Sequence, residues 1–184
     1  MDTLILGFTG LPASGKGASA KYLTEKYRAG NFRYSTILRD LLHRLSLPES
    51  RDNLIRLSEI IRHEFGEDTL AKAIAQDAAN SGQSLIIVEG IRRLADIKHL
   101  AQLPNFVLVE IFADIKIRYQ RLKIRGENAD DNTKTFEQFQ ADHQRSTELS
   151  IPEVVAQATE HLDNNGSLNE LYKKLDNLVT KYLK

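Results

Sequence analysis

Residues 10–17 read Gly-Leu-Pro-Ala-Ser-Gly-Lys-Gly and follow the apolar run Leu4-Ile5-Leu6-Gly7-Phe8 directly. The spacing is G-x-x-x-x-G-K at the end of a strand-like segment, and Ala18 to Leu23 continues as a helix with Ala20 and Leu23 on one face. Such a loop turns successive backbone N–H groups onto one point, and the helix that follows adds its positive end. Lys16 is placed to reach the outer phosphates of a bound nucleotide. A chain of this composition shows the pattern by chance about 0.03 times. The reading is a phosphate-binding loop, formed by Gly10, Pro12, Ala13, Ser14, Gly15, Lys16, Gly17 and Ala18, with ATP as the expected ligand.

The loop demands an α/β sheet around it, and the rest of the chain supplies one. Ser84–Glu89 and Asn105–Ile111 are continuous apolar runs, as parallel strands covered on both faces require, and Thr159–Asp163 is a weaker, more polar last strand. Phe32-Arg33-Tyr34 is a short strand candidate. Helical patterns fall at 16–29, 35–46, 52–65, 67–81, 92–101, 114–126, 133–149 and 168–183. The expected fold is a parallel five-stranded sheet flanked by helices, with ligands at the carboxyl ends of its strands. The 184 residues fit one domain able to bury roughly 70% of its unfolded surface. Two segments exceed the minimal plan: the helical stretch 35–81, and the charged stretch around 121–148, which reads as poor in core residues. Such excursions are expected to close over ligands, the first over an acceptor and the second as a small lid.

Composition narrows the partners. Lys+Arg and Asp+Glu balance at 25 each, so no global basic field argues for nucleic acid. Cysteine is absent, which excludes disulfides, thiolate metal sites and a cysteine nucleophile. No apolar stretch approaches the roughly 20 residues needed to span a membrane. The first residues lack the pattern of a secretory signal, so a cytoplasmic protein is expected, as a monomer or homodimer acting on a small-molecule nucleotide.

Phosphoryl transfer is largely positioning and charge neutralisation, so arginines converging on the loop are the expected machinery. Arg118, Arg121 and Arg125 lie in the helix after the 105–111 strand, and Arg121 and Arg125 share a face at i, i+4. Glu89 sits at the tip of a central strand, where a carboxylate can hold waters around Mg²⁺ without ligating it directly. Arg92, just beyond, is placed for an acceptor phosphate, and Arg39 for the same group from the first excursion. Arg51, Arg62 and His63 read as structural. The eighth loop position, Gly17, stands where Ser or Thr offers a hydroxyl to magnesium, which points away from GTPases and motor ATPases and towards small nucleotide kinases.

The loop Gly10 to Ala18 resembles that of the adenylate kinases and their relatives. Glu89-Gly90-Ile91-Arg92 is similar to their Asp-Gly-Phe-Pro-Arg segment, and Ser35-Thr36-Ile37-Leu38-Arg39 to their Gly-Asp-Met-Leu-Arg segment. Asp52–Gly66 with Arg125-Gly126 and Asp130–Thr133 resembles a branch of adenylate-kinase-like ATPases related to dephospho-CoA kinase. Asp163–Leu171 is similar to the dephospho-CoA kinase segment whose backbone lies against adenine, which implies adenine contacts at Asn165 and Gly166. Departures are Ala18 in place of a hydroxyl residue (with Ser14 and Ser19 nearby), Glu89 for Asp, Thr36 for an acidic residue, and Ala141-Asp142 for Arg-Asp. The resemblance implies an ATP- and Mg²⁺-dependent phosphotransferase acting on a nucleoside or deoxynucleoside monophosphate. Lys16, Arg92, Arg121 and Arg125 are its expected catalytic residues, and Arg39, Arg92 and Glu89 its substrate contacts. A dephospho-CoA kinase-like enzyme and a slowly hydrolysing ATP-binding switch are the competing readings.

Overall fold

The apolar runs pair side by side into one parallel sheet in the computed structural model, which describes residues 3–125, 132–144 and 146–183. The strands are β1 Leu4–Thr9, β2 Gly30–Arg33, β3 Leu85–Glu89, β4 Phe106–Phe112 and β5 Glu160–Asp163, in the order β2-β3-β1-β4-β5. The register sets Phe8 of β1 beside Glu89 on one side and Val109 on the other. The helices are α1 Lys16–Tyr27, α2 Tyr34–Arg44, α3 Arg51–Phe65, α4 Thr69–Asn80, α5 Leu94–Ile97, α6 Ile115–Arg125, α7 Phe136–Ala141, α8 Ser146–Leu149, α9 Ile151–Val155 and α10 Leu168–Tyr182. Among the described residues no helix is long and apolar enough to cross a membrane.

Strand periodicity divides the core in two. Leu4, Leu6 and Phe8 face α1 and α10, where they meet Leu23, Leu171 and Leu175. Ile5, Ile86 and Val88 face the other side, against Leu38, Leu70 and Ile74. Gly7 leaves space there: a Cβ would come within 2.7 Å of Ile91 and 2.8 Å of Phe106. The central β1 therefore delivers the loop that follows it to the middle of the sheet edge, between strands whose crossovers leave in opposite directions.

Several predicted boundaries shift for identifiable reasons. The second strand is Gly30–Arg33, and Tyr34 already opens α2, its buried hydroxyl donating to the Asp96 carbonyl at 2.7 Å. The helix expected over 92–101 shrinks to α5 and the 3₁₀ turn Leu100–Gln102. Its first residues are diverted because the Asp96 carboxylate accepts from the backbone N–H groups of Arg92 and Arg93, at 2.9 and 3.0 Å. The single helix expected over 133–149 is instead α7, the 3₁₀ turn Asp142–Gln144 and α8. Thr135 and Gln138 form a capping box that starts α7, and His143 Nδ1 reaches back to the Phe139 carbonyl at 2.9 Å. That segment also holds more core than expected: Phe139 is buried and packs on Tyr119 of α6, and the nearly buried Lys134 pairs with Asp142 at 2.7 Å. Gly126–Asp131, the centre of the expected lid, and Arg145 lie outside the described residues.

Arg62 of α3 and Asp96 form an ion pair at 2.6 Å with side chains 5% and 2% exposed. Removing one partner of a buried pair leaves an uncompensated charge, a larger effect than losing a surface bridge. Asp96→Ala is expected to lower the unfolding free energy by about 3–5 kcal/mol in urea titration. A loss below about 1 kcal/mol, typical of a surface pair, would show that the pair is not structural.

Candidate functional site

The chain from β1 to α1 must turn sharply while keeping its N–H groups turned inward. Gly10 and Gly15 take φ of +133° and +113°, and a Cβ at either would collide, with the Ile111 carbonyl and the Asn164 side chain respectively. Ala13 sits at φ 61°, an unusual value for a residue with a side chain, and marks the strained part of the loop. Lys16 bends back over the loop, its Nζ donating to the carbonyls of Gly10 and Leu11 at 2.6 and 2.9 Å.

This loop forms one end of a cleft of about 720 Å³. Pro12, Ala13, Gly15, Lys16, Gly17 and Ala18 line that end. Leu38, Leu54, Ile55 and Ser58 from α2 and α3 line the opposite wall, with Arg39, Glu89, Arg92 and Arg121 between. Eight basic side chains and three carboxylates border the cleft, in a chain whose net charge is zero. The basic field that composition did not disclose is concentrated here, and it favours an anionic ligand.

The expected site residues divide by place. Arg39 of α2 pairs with Glu49 at 3.0 Å, both about half exposed. Arg92 pairs with Glu148 of α8 at 2.9 Å, and the Ser150 hydroxyl donates to the Arg92 carbonyl at 2.7 Å. Arg121 donates to the Gly166 carbonyl at 3.4 Å, while its Nη1 is buried with no hydrogen-bond partner. Burial pushes its pKa below the usual arginine value, which does not threaten its charge at neutral pH. Arg125 ends α6, and its side chain lies outside the described residues. Gly10 and Ser14 border a separate cavity of about 200 Å³ behind the loop. Ser14 and Ser19 are both buried, and neither lines the main cleft, so neither replaces the hydroxyl missing at Gly17 and Ala18.

At the last strand, the cleft wall is built from Asn164 and Leu168 rather than from Asn165 and Gly166. Asn164 is buried and donates from Nδ2 to the Ser14 carbonyl at 2.8 Å, so it braces the loop from below. Asn165 turns away and accepts from the Asp114 backbone at 2.7 Å. A polar residue directly after a strand tip is the only sequence signal for Asn164, and its neighbour carries the same one. Arg118 borders the smaller cavity rather than the main cleft. It is 4% exposed, donates to the carbonyls of Ala113 and Pro12 at 2.9 and 3.2 Å, and lies 2.9 Å from His143 Nε2. Because arginine only donates, Nε2 accepts and the His143 proton sits on Nδ1, facing the Phe139 carbonyl.

Arg33 and Asn31 were not foreseen. Asn31 Nδ2 donates to Glu89 Oε1 at 3.0 Å, and Arg33 approaches the same carboxylate with Nε at 3.2 Å and Nη2 at 3.4 Å. P-loop kinase folds generally bind ATP with Mg²⁺, but direct ligands for the metal are poorly represented among the described residues. Gly17 and Ala18 offer no hydroxyl, both oxygens of Glu89 already accept hydrogen bonds, and no cluster of three metal-binding side chains occurs among the described residues.

Comparison with known proteins agrees with this architecture. A UPF0200 protein of Thermococcus kodakarensis is 26% identical over 185 residues, covering 98% of each chain. A UPF0200 protein of Methanocaldococcus jannaschii is 28% identical over 182 residues, 98% of this chain and 91% of that one. Among solved structures, shikimate kinase from Bacteroides thetaiotaomicron superposes with a TM-score of 0.63 at 12% identity, over 97% of both chains. Shikimate kinase from Acinetobacter baumannii, in complex with shikimate, gives 0.57 at 14% identity over 99% of this chain and 96% of that one. A kinase-like protein from Chloroflexus aurantiacus gives 0.56 at 16% identity over 98% and 97%. The family profile described as an AAA domain matches residues 9–137, well over half of the sequence. The chain belongs to that AAA domain family and carries it on a P-loop kinase-like fold.

Proposed function

We propose that the protein is an ATP-dependent phosphotransferase whose acceptor is a nucleoside or deoxynucleoside monophosphate. The observation that carries this reading is the single cleft in which the phosphate loop faces Arg39 and Arg92, brought in from two separate elements over an apolar wall. Lys16 and the loop N–H groups hold the donor phosphates, and Arg121 offers its unpartnered N–H to the transferring group. Arg125, one turn further along α6, is proposed to act with Arg121. Arg39 and Arg92 exchange their present carboxylates for the acceptor phosphate. Mg²⁺ carried in with ATP would neutralise phosphate charge, reaching the protein through water near Glu89. The stretches 35–81 and 121–148 serve as acceptor-binding region and lid, within one cytoplasmic kinase domain.

The cleft carboxylates favour a phosphate acceptor over a hydroxyl. A hydroxyl acceptor, as in shikimate or the ribose of dephospho-CoA, needs a base to take its proton. Glu49, Glu89 and Asp96 are each engaged by an arginine, whereas a monophosphate arrives already anionic. The second reading is an ATP-binding switch with slow hydrolysis. Its support is the pair of non-hydroxyl residues Gly17 and Ala18 together with the ion pairs that occupy Arg39 and Arg92.

A coupled ADP-release assay with a panel of monophosphates and dephospho-CoA separates these readings. At least one monophosphate is expected to stimulate turnover, and dephospho-CoA is not. Tight ATP binding with no acceptor-stimulated turnover would transfer the case to the switch. Lys16→Ala is expected to lower kcat/KM by about 100-fold or more, in line with loss of a charged transition-state contact. Arg39→Ala is expected to raise the acceptor KM about tenfold and leave the KM for ATP unchanged. Equal changes in both KM values would place Arg39 outside the acceptor subsite.

A further inference from the structure

Glu89 stands where a carboxylate can hold waters around a metal, yet the group beside it is a guanidinium. Arg33 ends β2, the edge strand, and the β2–β3 register sets it directly against Glu89. The Glu89 side chain is 4% exposed, while that of Arg33 is 43% exposed. The pair therefore has a buried anchor and an open end, and the open end lines the cleft. A Cβ built on Gly17 would lie 3.7 Å from Arg33 Nη2 and 3.7 Å from Glu89 Oε2. In loops ending in Lys-Ser or Lys-Thr, that Cβ carries the hydroxyl that ligates magnesium. Here the hydroxyl is missing, and a fixed positive charge borders the place where it would stand.

We infer that Arg33 is a phosphate-binding residue of the donor site, held by a Glu89 carboxylate that Asn31 also engages, so that its guanidinium replaces part of the charge a loop-bound magnesium ion would supply. Three physical points carry this. A guanidinium offers forked N–H donors to phosphate oxygens and keeps its charge at any working pH. Anchoring by a buried carboxylate removes most of the rotamer freedom that ATP binding would otherwise have to freeze. The same carboxylate already carries the Arg33 charge and a hydrogen bond on each oxygen, so a metal approaching it meets a neighbouring positive charge. ATP binding should then tolerate removal of magnesium, and the tolerance should reside in this one side chain. The inference rests on the reading of the cleft as an ATP site.

Calorimetric titration of ATP into the full chain, in excess Mg²⁺ and in excess EDTA, tests it. The wild-type affinities in the two buffers are expected to agree within about threefold. Arg33→Ala is expected to lose about tenfold or more in EDTA and much less in Mg²⁺, since removing the guanidinium frees Glu89 for hydrated metal. Gly17→Ser on the Arg33→Ala background should widen the difference between the two buffers, because the new hydroxyl has room beside Glu89. The ratio of affinities in one protein is insensitive to a general loss of stability, and Arg33→Gln offers a less disruptive variant should Arg33→Ala fold poorly. ATP binding by the wild type that collapses in EDTA, or that responds equally in wild type and variants, overturns the inference and leaves the kinase reading intact. No ATP binding in either buffer overturns both.

Discussion

The end of the cleft formed by α2 and α3 depends on one buried carboxylate. Asp96 takes the Arg62 guanidinium from α3 and the N–H groups of Arg92 and Arg93 from the turn after β3, while its own carbonyl receives the Tyr34 hydroxyl from α2. Two helices distant in sequence thus meet the turn after β3 on a single residue. A buried charge demands such partners, since leaving any of them unmade costs several kcal/mol. The requirement fixes how the α2–α3 insertion sits against the sheet, and so sets the distance between the apolar wall and the loop.

The loop end of the cleft is fixed differently, by backbone rather than charge. Gly10 and Gly15 adopt dihedral angles that only glycine takes without strain, and Asn164 reaches from the end of β5 to hold the loop from below. The parallel sheet makes this possible because β1, β4 and β5 end at the same edge. The loop sits in the middle of the sheet edge, and the basic side chains around it are held by ion pairs of differing burial. Arg33 and Arg92 are partly exposed but pair with the buried carboxylates of Glu89 and Glu148, whereas Arg39 pairs with the exposed Glu49. The Arg39–Glu49 pair, exposed on both sides, contributes little to stability, so little is lost when another anion takes the carboxylate's place.

Legibility followed the range of each interaction. The loop, the strands β1, β3 and β4 and the helices α1, α3 and α10 were readable because their signals are local: glycine spacing, continuous apolar runs and helical periodicity. The placing of Arg39 and Arg92 at the cleft was readable because a resembling motif names the position. The Arg33–Glu89 and Arg62–Asp96 pairs were not, since each joins residues separated by dozens of positions and an arginine on a helix or strand looks the same whether solvated or buried. The break of the 133–149 helix was hidden for a related reason: it follows from His143 turning between Arg118 and the Phe139 carbonyl, a contact that exists only once α6 is in place.

What the sequence determined by itself was the existence and location of the phosphate loop, the parallel α/β plan around it and the kinase-like character of the family, because these rest on backbone conformations and hydrophobic periods written within a few residues. Tertiary structure alone decided which cations line the cleft, that Asn164 rather than Asn165 braces the loop, and that a guanidinium stands beside Gly17. Those outcomes depend on which buried charges find each other across the fold, and electrostatic pairing in a low-dielectric interior is settled by distances that the order of residues does not record.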